Sequence, residues 1–347
     1  TRFRNVTGVQ TCALPILTPR ARVVSGMRPT GRLHLGHLVG ALGNWVPLQD
    51  QYDCFYFVAD WHALTSEYSN TDPITGYALD NVADWLAAGV DPERSTIFVQ
   101  SLVPEHAELF LLLSMVVPIP WLERVPTYKE QQEQLSEKDL STLGFLGYPL
   151  LQTADVAMYD ARFVPVGDDQ VPHLELSREV VRRFNQFYGD VLVEPQPLLT
   201  PVSRLPGLDN RKMSKSYGNT IDLSDDADAV TKKVRQMYTD PKRIRADIPG
   251  TVEGNPVFMY HDAFNTDTAE VDDLKARYRE GKVGDVEVKT KLAKAMNAML
   301  EPMRERRREV AANPGRVREI VVEGSRKART IAHATMERVR DAVKLRY

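Results

Sequence analysis

Three clusters of residues could do chemistry. The first is His34-Leu35-Gly36-His37, inside ARVVSGMRPTGRLHLGHLVGAL. The segment begins as a strand, turns through Gly26, Pro29 and Gly31, and enters a helix near the two histidines. Glycines permit a tight turn and close backbone approach, and a helix start offers N–H groups and partial positive charge suited to phosphate. Histidines three apart share one side of that helix start, where each can donate to phosphate oxygens. Capping or surface histidines, or a His-x-x-His metal site, are the competing readings. The metal reading is the weaker one, because no Cys, Glu or third His sits nearby at ligand spacing.

The second cluster is RKMSKSYGN, Arg211 to Asn219. Lysine with small polar residues suits a basic loop that closes over phosphates, its lysine heads following the charge on a leaving group. A solvated basic linker has the same composition. The third is GYPLLQTADVAMYDARFVPVGDDQVPHLELSREVVRRFN. Tyr148, Gln152 and Asp155 are spaced four and three apart, so they share one helix face and can line one pocket. Gly167-Asp168-Asp169-Gln170 follows at the end of a strand; the two aspartates also fit an acidic pair at a helix start.

Elements able to position these groups are legible as alternation. ARVVSGM, CFYFVAD, STIFVQS and ARFVPVG read as strands separated by helical patterns, which predicts an α/β fold with a parallel sheet and helices on both faces, a Rossmann-like domain over 20–205. A loop and linker follow at 206–222, then a helical domain over 223–347 whose last helix could pack back on the first domain. Breaks are expected at Pro241, Pro249, Pro256 and Asn313-Pro314-Gly315, and Leu292, Ala295, Met296, Met299 and Leu300 have the spacing of core contacts, with Met303 beyond Pro302. Residues Val6 to Ile16 resemble translated sequencing adapter, so 1–19 are set aside as a non-native leader.

The chain has 347 residues, 43% hydrophobic and 26% charged, enough for a large core. Its most apolar stretch, Leu109 to Val117, is too short to cross a bilayer. Without the leader only Cys54 remains, which excludes a disulfide or a cysteine-based metal site and fits a reducing cytoplasm; inside CFYFVAD it reads as a small buried hydrophobe. The net charge of −3 is uneven: Glu301 to Tyr347 hold 13 Lys/Arg against 7 Asp/Glu, a local +6 that leaves −9 elsewhere. With Lys232, Lys233, Arg235, Lys242, Arg243 and Arg245, this places a candidate polyanion surface in the C-terminal part.

HLGH resembles the HIGH signature of class I aminoacyl-tRNA synthetases, KMSKS matches their second signature letter for letter, and the order is theirs. The segment between them, and the chain from about Arg22 onward, is similar to the tryptophanyl-tRNA synthetase family. The resemblance implies activation of tryptophan by ATP, then transfer to tRNA(Trp), with His34, His37, Lys212 and Lys215 in the catalytic role. Around ATP it places Arg28, Pro29 and Thr30 of the turn, Gly36 and His37, then Gly167, Asp168 and Asp169 at the ribose, Leu205, and Lys212, Met213, Ser214, Lys215 and Ser216. Around tryptophan it places Val24, His62, Tyr148, Gln152, Gln170 and Asp155. An ionised Asp155 would accept the indole N–H, and leaving that acceptor unpaired would penalise phenylalanine.

The nearest rival is tyrosyl-tRNA synthetase, whose pocket carries a further tyrosine on the first strand where Val24 stands. A tRNA-independent HxGH adenylyltransferase and a non-catalytic paralogue are the readings from other classes. Arg28 stands where many bacterial members have glutamine, and His37 where many have asparagine. Lys129 resembles a loop lysine that reaches triphosphate. The resemblance also implies Mg2+ held mainly by the ATP phosphates, anticodon reading by the helical domain, a homodimer to which Leu109 to Val117 could contribute, no membrane and a cytoplasmic location.

Overall fold

The computed structural model describes residues 20–125, 128, 139–167, 170–199, 205–214, 217–241, 243 and 245–347. The leader expected over 1–19, Lys129, Asp168, Asp169, Lys215, Ser216 and Lys242 lie outside these residues.

The four apolar runs are strands: β1 (Arg22–Met27), β2 (Asp53–Val58), β3 (Ser95–Val99) and β4 (Phe163–Val166). A fifth, β5 (Gln196–Leu199), was not expected from sequence. It is four residues of Gln-Pro-Leu-Leu, and its edge position is where a sheet tolerates a proline that cannot donate. All pairings are parallel, in the order β3-β2-β1-β4-β5, with Val24 level with Phe55 and Cys54 level with Ser95. Because helices cover both faces, the central strands read as nearly continuous apolar runs. Alternation decides which face each residue serves. Val23, Cys54, Tyr56 and Val58 join one apolar cluster, and Val24, Phe55 and Phe57 join the other.

Among the described residues the helical segments before Leu205 are α1 (Leu35–His37), a π-helical turn over Leu38–Leu42, α2 (Gly43–Leu48), α3 (Asp60–Glu67), α4 (Ile74–Ala88), the 3-10 turn Gln100–Leu102, α5 (Glu105–Ser114), α6 (Ile119–Glu123), α7 (Leu143–Ala157) and α8 (Val171–Tyr188). Beyond Leu205 the named elements are all helices: α9 (Ala227–Arg235), α10 (Pro256–Phe264), α11 (Thr268–Arg279), α12 (Asp285–Ala312) and α13 (Pro314–Ala342).

Two prolines take different places: the break expected at Pro256 is the start of a helix, and Pro302 interrupts none. Pro256 is the first residue of α10, where its missing amide is no loss. Pro302 lies inside α12, which continues to Ala312 and keeps Leu292, Met296, Leu300 and Met303 buried on one side. Ala295 and Met299 are only partly buried. The helix is clamped from outside its proline: Arg307 Nε donates to Asp84 Oδ1 at 2.6 Å and Arg306 Nε to the Ala87 carbonyl at 2.6 Å, both on α4.

The last helix returns to the sheet. The Val99 amide donates to Ser325 Oγ at 3.2 Å, and a Cβ at Gly324 would overlap the Ile97 carbonyl oxygen, so glycine is what lets α13 lie on β3. One apolar cluster consequently runs from β1 and β2 through α4 into α9, α10 and α12. Among the described residues no helix is long and apolar enough to cross a membrane.

What this topology provides is a reversal. From β1 the chain builds outward through β2 to β3, then crosses back to β4 on the other flank. Between the carboxyl ends of β1 and β4 the connections diverge, and that is where an open α/β sheet leaves a crevice.

Candidate active site

The crevice is a cavity of about 380 Å³. Val24, Ser25, Gly26 and Arg28 reach it from the end of β1, Phe57 and Ala59 from β2, and Val164, Val166 and Gly167 from β4. From α7 come Phe145, Tyr148, Gln152, Asp155 and Val156, and from elsewhere His62, Gln170 and His173. All six residues expected around tryptophan therefore line one space, together with Arg28 and Gly167. Its apolar walls are valine and phenylalanine side chains, and polar groups from several elements, Arg28, His62, Tyr148, Gln152, Asp155 and Gln170 among them, converge on the same space. A Cβ at Gly26 would overlap the Phe57 ring, so the close approach of β1 to β2 there requires glycine.

Asp155 is 1% exposed, yet it is held as a carboxylate by donors from three elements. His62 Nε2 on α3 lies 2.9 Å from Oδ2, while Gln100 Nε2 donates to Oδ1 at 2.7 Å and His106 Nδ1 on α5 lies 2.6 Å from Oδ1. Burial pushes the Asp155 carboxyl up. The hydrogen bonds of His106 and His62, with the electrostatic pull of the two rings, more than offset this and hold it below the usual carboxylate range. His62 is thus both a lining residue and a structural partner.

The histidine pair sits at the mouth of α1. His34 is the N-cap: its Nδ1 accepts the Gly36 amide at 3.1 Å, and His37 Nδ1 accepts the His34 amide at 3.1 Å, a reciprocal capping box made of two imidazoles. The hydrogen-bond geometry assigns Nδ1 of each ring as acceptor, which leaves its N–H on Nε2. Gly31, at φ 131°, makes the turn that delivers the chain from β1 to this cap, with Pro29 buried and Thr30 donating its amide to the Arg28 carbonyl at 2.9 Å.

The basic loop meets this mouth. Leu35 N donates to Ile221 O at 3.0 Å and Leu223 N to Leu33 O at 2.9 Å, so the segment following the loop pairs with the segment entering α1. Met213 Sδ packs against Gly36, 3.0 Å from where a Cβ would stand. Lys212 bridges to Pro206, and Leu205 packs on the core beside it. The described part of the loop is organised by Asn219, 4% exposed: its Oδ1 accepts the Ser214 amide at 2.9 Å, and its Nδ2 donates to Asp209 Oδ1 at 2.8 Å and to Lys212 O at 3.1 Å.

The family model described as "tRNA synthetases class I (W and Y)" matches residues 18–301. The chain belongs to that family. The tryptophan–tRNA ligase of Thermotoga maritima is 50% identical over 327 residues, covering 94% of this chain and 100% of that protein. The tryptophan–tRNA ligase of Aquifex aeolicus is 43% identical, covering 93% of this chain and 100% of its own. Among solved structures, tryptophanyl-tRNA synthetase from Campylobacter jejuni complexed with ADP and tryptophan superposes with a TM-score of 0.84 at 31% identity, over 93% of this chain and 99% of that one. Tyrosyl-tRNA synthetase from Archaeoglobus fulgidus gives 0.64 at 24% identity, over 83% and 90%, a likeness of fold alone.

Sequence reasoning missed four residues of this class I site. Gln100, His106 and Tyr159 belong to the Asp155 network, and Asn219 holds the loop. His106 stands in SLVPEHAELF, where a histidine within an apolar helix gives no local sign of a partner 49 positions away. Asn219 was visible only as the last letter of the loop motif; the tight Gly207, whose Cβ would overlap the Asn219 amide, is the partner signal.

Proposed function

We propose that this chain is a tryptophan–tRNA ligase in which the β1/β4 crevice takes tryptophan and the α1 mouth with the Lys212 loop takes ATP. One observation carries the reading. Asp155 lines the crevice with two donors on Oδ1 and one on Oδ2, so a single Oδ2 lone pair is left for an indole N–H. Val24 on β1 offers a phenol no second partner, which favours an indole over tyrosine. The likeness to tryptophan–tRNA ligases at 43–50% identity supports the same assignment.

In the first step the tryptophan carboxylate oxygen attacks the α-phosphorus of ATP; that P–O bond forms as the bond to pyrophosphate breaks. Gln170 and Tyr148 orient the amino acid, Gly167 and Asp169 meet the ribose, and Arg28, Pro29 and Thr30 shape the nucleotide side. His34 and His37 donate through Nε2–H to phosphate oxygens, and Lys212 and Lys215 follow the charge leaving with pyrophosphate. In the second step a ribose hydroxyl of the tRNA 3′ end attacks the activated carbonyl and AMP departs. Positioning and charge stabilisation supply the rate, with no protein nucleophile. Mg2+ travels with ATP, held by its phosphates.

In this reading the sheet domain over 20–205 is catalytic and the basic helices of 223–347 read the anticodon of tRNA(Trp) in the cytoplasm. A homodimer is supported by exposed apolar side chains on neighbouring segments, Leu111, Met115, Ile119 and Leu143. The test of the whole is amino-acid-dependent ATP/pyrophosphate exchange across the twenty amino acids. Tryptophan alone should support it, and exchange with tyrosine but not tryptophan would overturn the assignment.

A further inference from the structure

Behind the carboxylate lies a second layer of polar groups. His106 is fully buried on α5, and its two ring nitrogens face different partners: Nδ1 lies 2.6 Å from Asp155 Oδ1 and Nε2 lies 2.6 Å from the Tyr159 hydroxyl. Tyr159 is also fully buried, packed on Phe55 at 5.1 Å and Phe98 at 5.3 Å between ring centroids. We propose that His106, set by Tyr159, is a positioning residue for amino-acid selection, fixing the Asp155 carboxylate so that its remaining Oδ2 lone pair meets the indole N–H. The inference rests on the assignment of Asp155 to the indole.

The direction of the chain follows from what each group can give. Burial pushes the Tyr159 phenol well up, with the charges of Asp155 and Glu105 adding to it, so the hydroxyl keeps its proton and donates to His106 Nε2. An imidazole accepting at Nε2 carries its hydrogen on Nδ1, and that hydrogen points at Asp155 Oδ1. Gln100 Nε2 donates to the same oxygen from the 3-10 turn. Two donors on Oδ1 and one on Oδ2 set the plane and the twist of the carboxylate. Without His106, Oδ1 keeps only the Gln100 donor, and the carboxylate is held less firmly about its terminal torsion, which is broad. The selecting oxygen would then sample orientations that do not point into the slot.

A purely structural network would lower activity with any amino acid alike. Selection through a positioned acceptor acts only on a substrate that has the N–H. The experiment therefore compares tryptophan with β-(benzothiophen-3-yl)alanine, in which sulfur replaces the indole N–H, by pyrophosphate exchange in the full chain. In His106→Leu the ratio of kcat/KM for tryptophan over the sulfur analogue should fall about ten-fold, through the tryptophan KM, as expected for a misaligned hydrogen bond to a charged acceptor. The analogue and ATP KM values should move less than about two-fold. His106→Asn places an amide donor near the Nδ1 position and should restore most of the ratio. Tyr159→Phe, which keeps the ring packing, should lower it about three-fold.

If the ratio is unchanged in His106→Leu and in Tyr159→Phe, the inference is wrong; should His106→Leu fail to fold, Tyr159→Phe alone decides it. Asp155→Ala, which removes the acceptor altogether, separates the two levels. A ratio unaffected there would remove Asp155 from the indole and with it the parent assignment. A ratio that collapses there, but not in the His106 and Tyr159 variants, would sink only the role of His106.

Discussion

Asn219→Ala is the most direct test of how the basic loop is held. The substitution removes three hydrogen bonds, from the Ser214 amide at 2.9 Å, to the Lys212 carbonyl at 3.1 Å and to Asp209 at 2.8 Å. Each is worth about 0.5–1.5 kcal/mol net, and the one to an ionised carboxylate lies at or above the upper end. The sum approaches about 4 kcal/mol. Asp209 and Lys212 border solvent, so water recovers roughly half, leaving about 2 kcal/mol, or about thirty-fold in a rate that depends on loop geometry. The expected result is a roughly thirty-fold lower kcat for pyrophosphate exchange, with tryptophan KM and unfolding midpoint close to those of the parent. Asn219→Asp retains the acceptor for Ser214 but places a carboxylate against Asp209, and should lose at least as much. A well-folded Asn219→Ala protein with kcat within about three-fold of the parent would refute the argument, as would a loss confined to tryptophan KM.

Three further outcomes follow from other contacts. Asp155→Ala should weaken tryptophan activation far more than ATP binding, read as separate KM and Kd values; equal loss of both would remove Asp155 from the indole. The hydrogen bond from Asn219, with those of Arg211, holds the Asp209 carboxyl at about 2. A depressed folded value contributes stability that is complete above the ordinary carboxylate range and fades as pH falls through about 2, so carbon NMR should find the Asp209 midpoint near 2, rising toward about 4 in Asn219→Ala. Gly324→Val should drive α13 off β3, because a side chain there overlaps the Ile97 carbonyl. Overpacking of this kind costs about 3 kcal/mol or more, and a denaturant midpoint unchanged from the parent would contradict the docking geometry.

Much of this was legible because local chemistry and global position agreed. β1 to β4 announce themselves as apolar runs that only a sheet covered on both faces can bury, and the spacing of Tyr148, Gln152 and Asp155 needs nothing beyond about two helical turns to become a pocket wall. β5 was hidden because its pairing with β4, not its own composition, makes it a strand. The passage of α12 through Pro302 was hidden for a related reason: the contacts that hold it, to Asp84 and Ala87, come from more than two hundred positions away. The same holds for His106, whose role is set by Asp155 and Tyr159, 49 and 53 positions away.

The relation between the two motifs shows what the fold adds to them. HLGH enters α1, and the loop stands far along the chain, yet the residues bordering each are paired to one another. Leu33 and Leu35 exchange backbone hydrogen bonds with Leu223 and Ile221, Gly207 N donates to Arg211 O at 2.7 Å, and Leu208 N to Asn219 O at 3.0 Å. Both roots of the loop are thereby fixed relative to the helix mouth, and Met213 against Gly36 fixes the face between them. A lysine meant to follow charge onto a departing phosphate gains little from its own pKa or reach if its backbone must first be ordered. Here the Lys212 backbone is paired with Pro206, and its carbonyl accepts from Asn219 Nδ2 at 3.1 Å. In the proposed reading the ordering entropy is met during folding and the Lys212 charge acts from a preset position, which is the condition under which electrostatic stabilisation is largest.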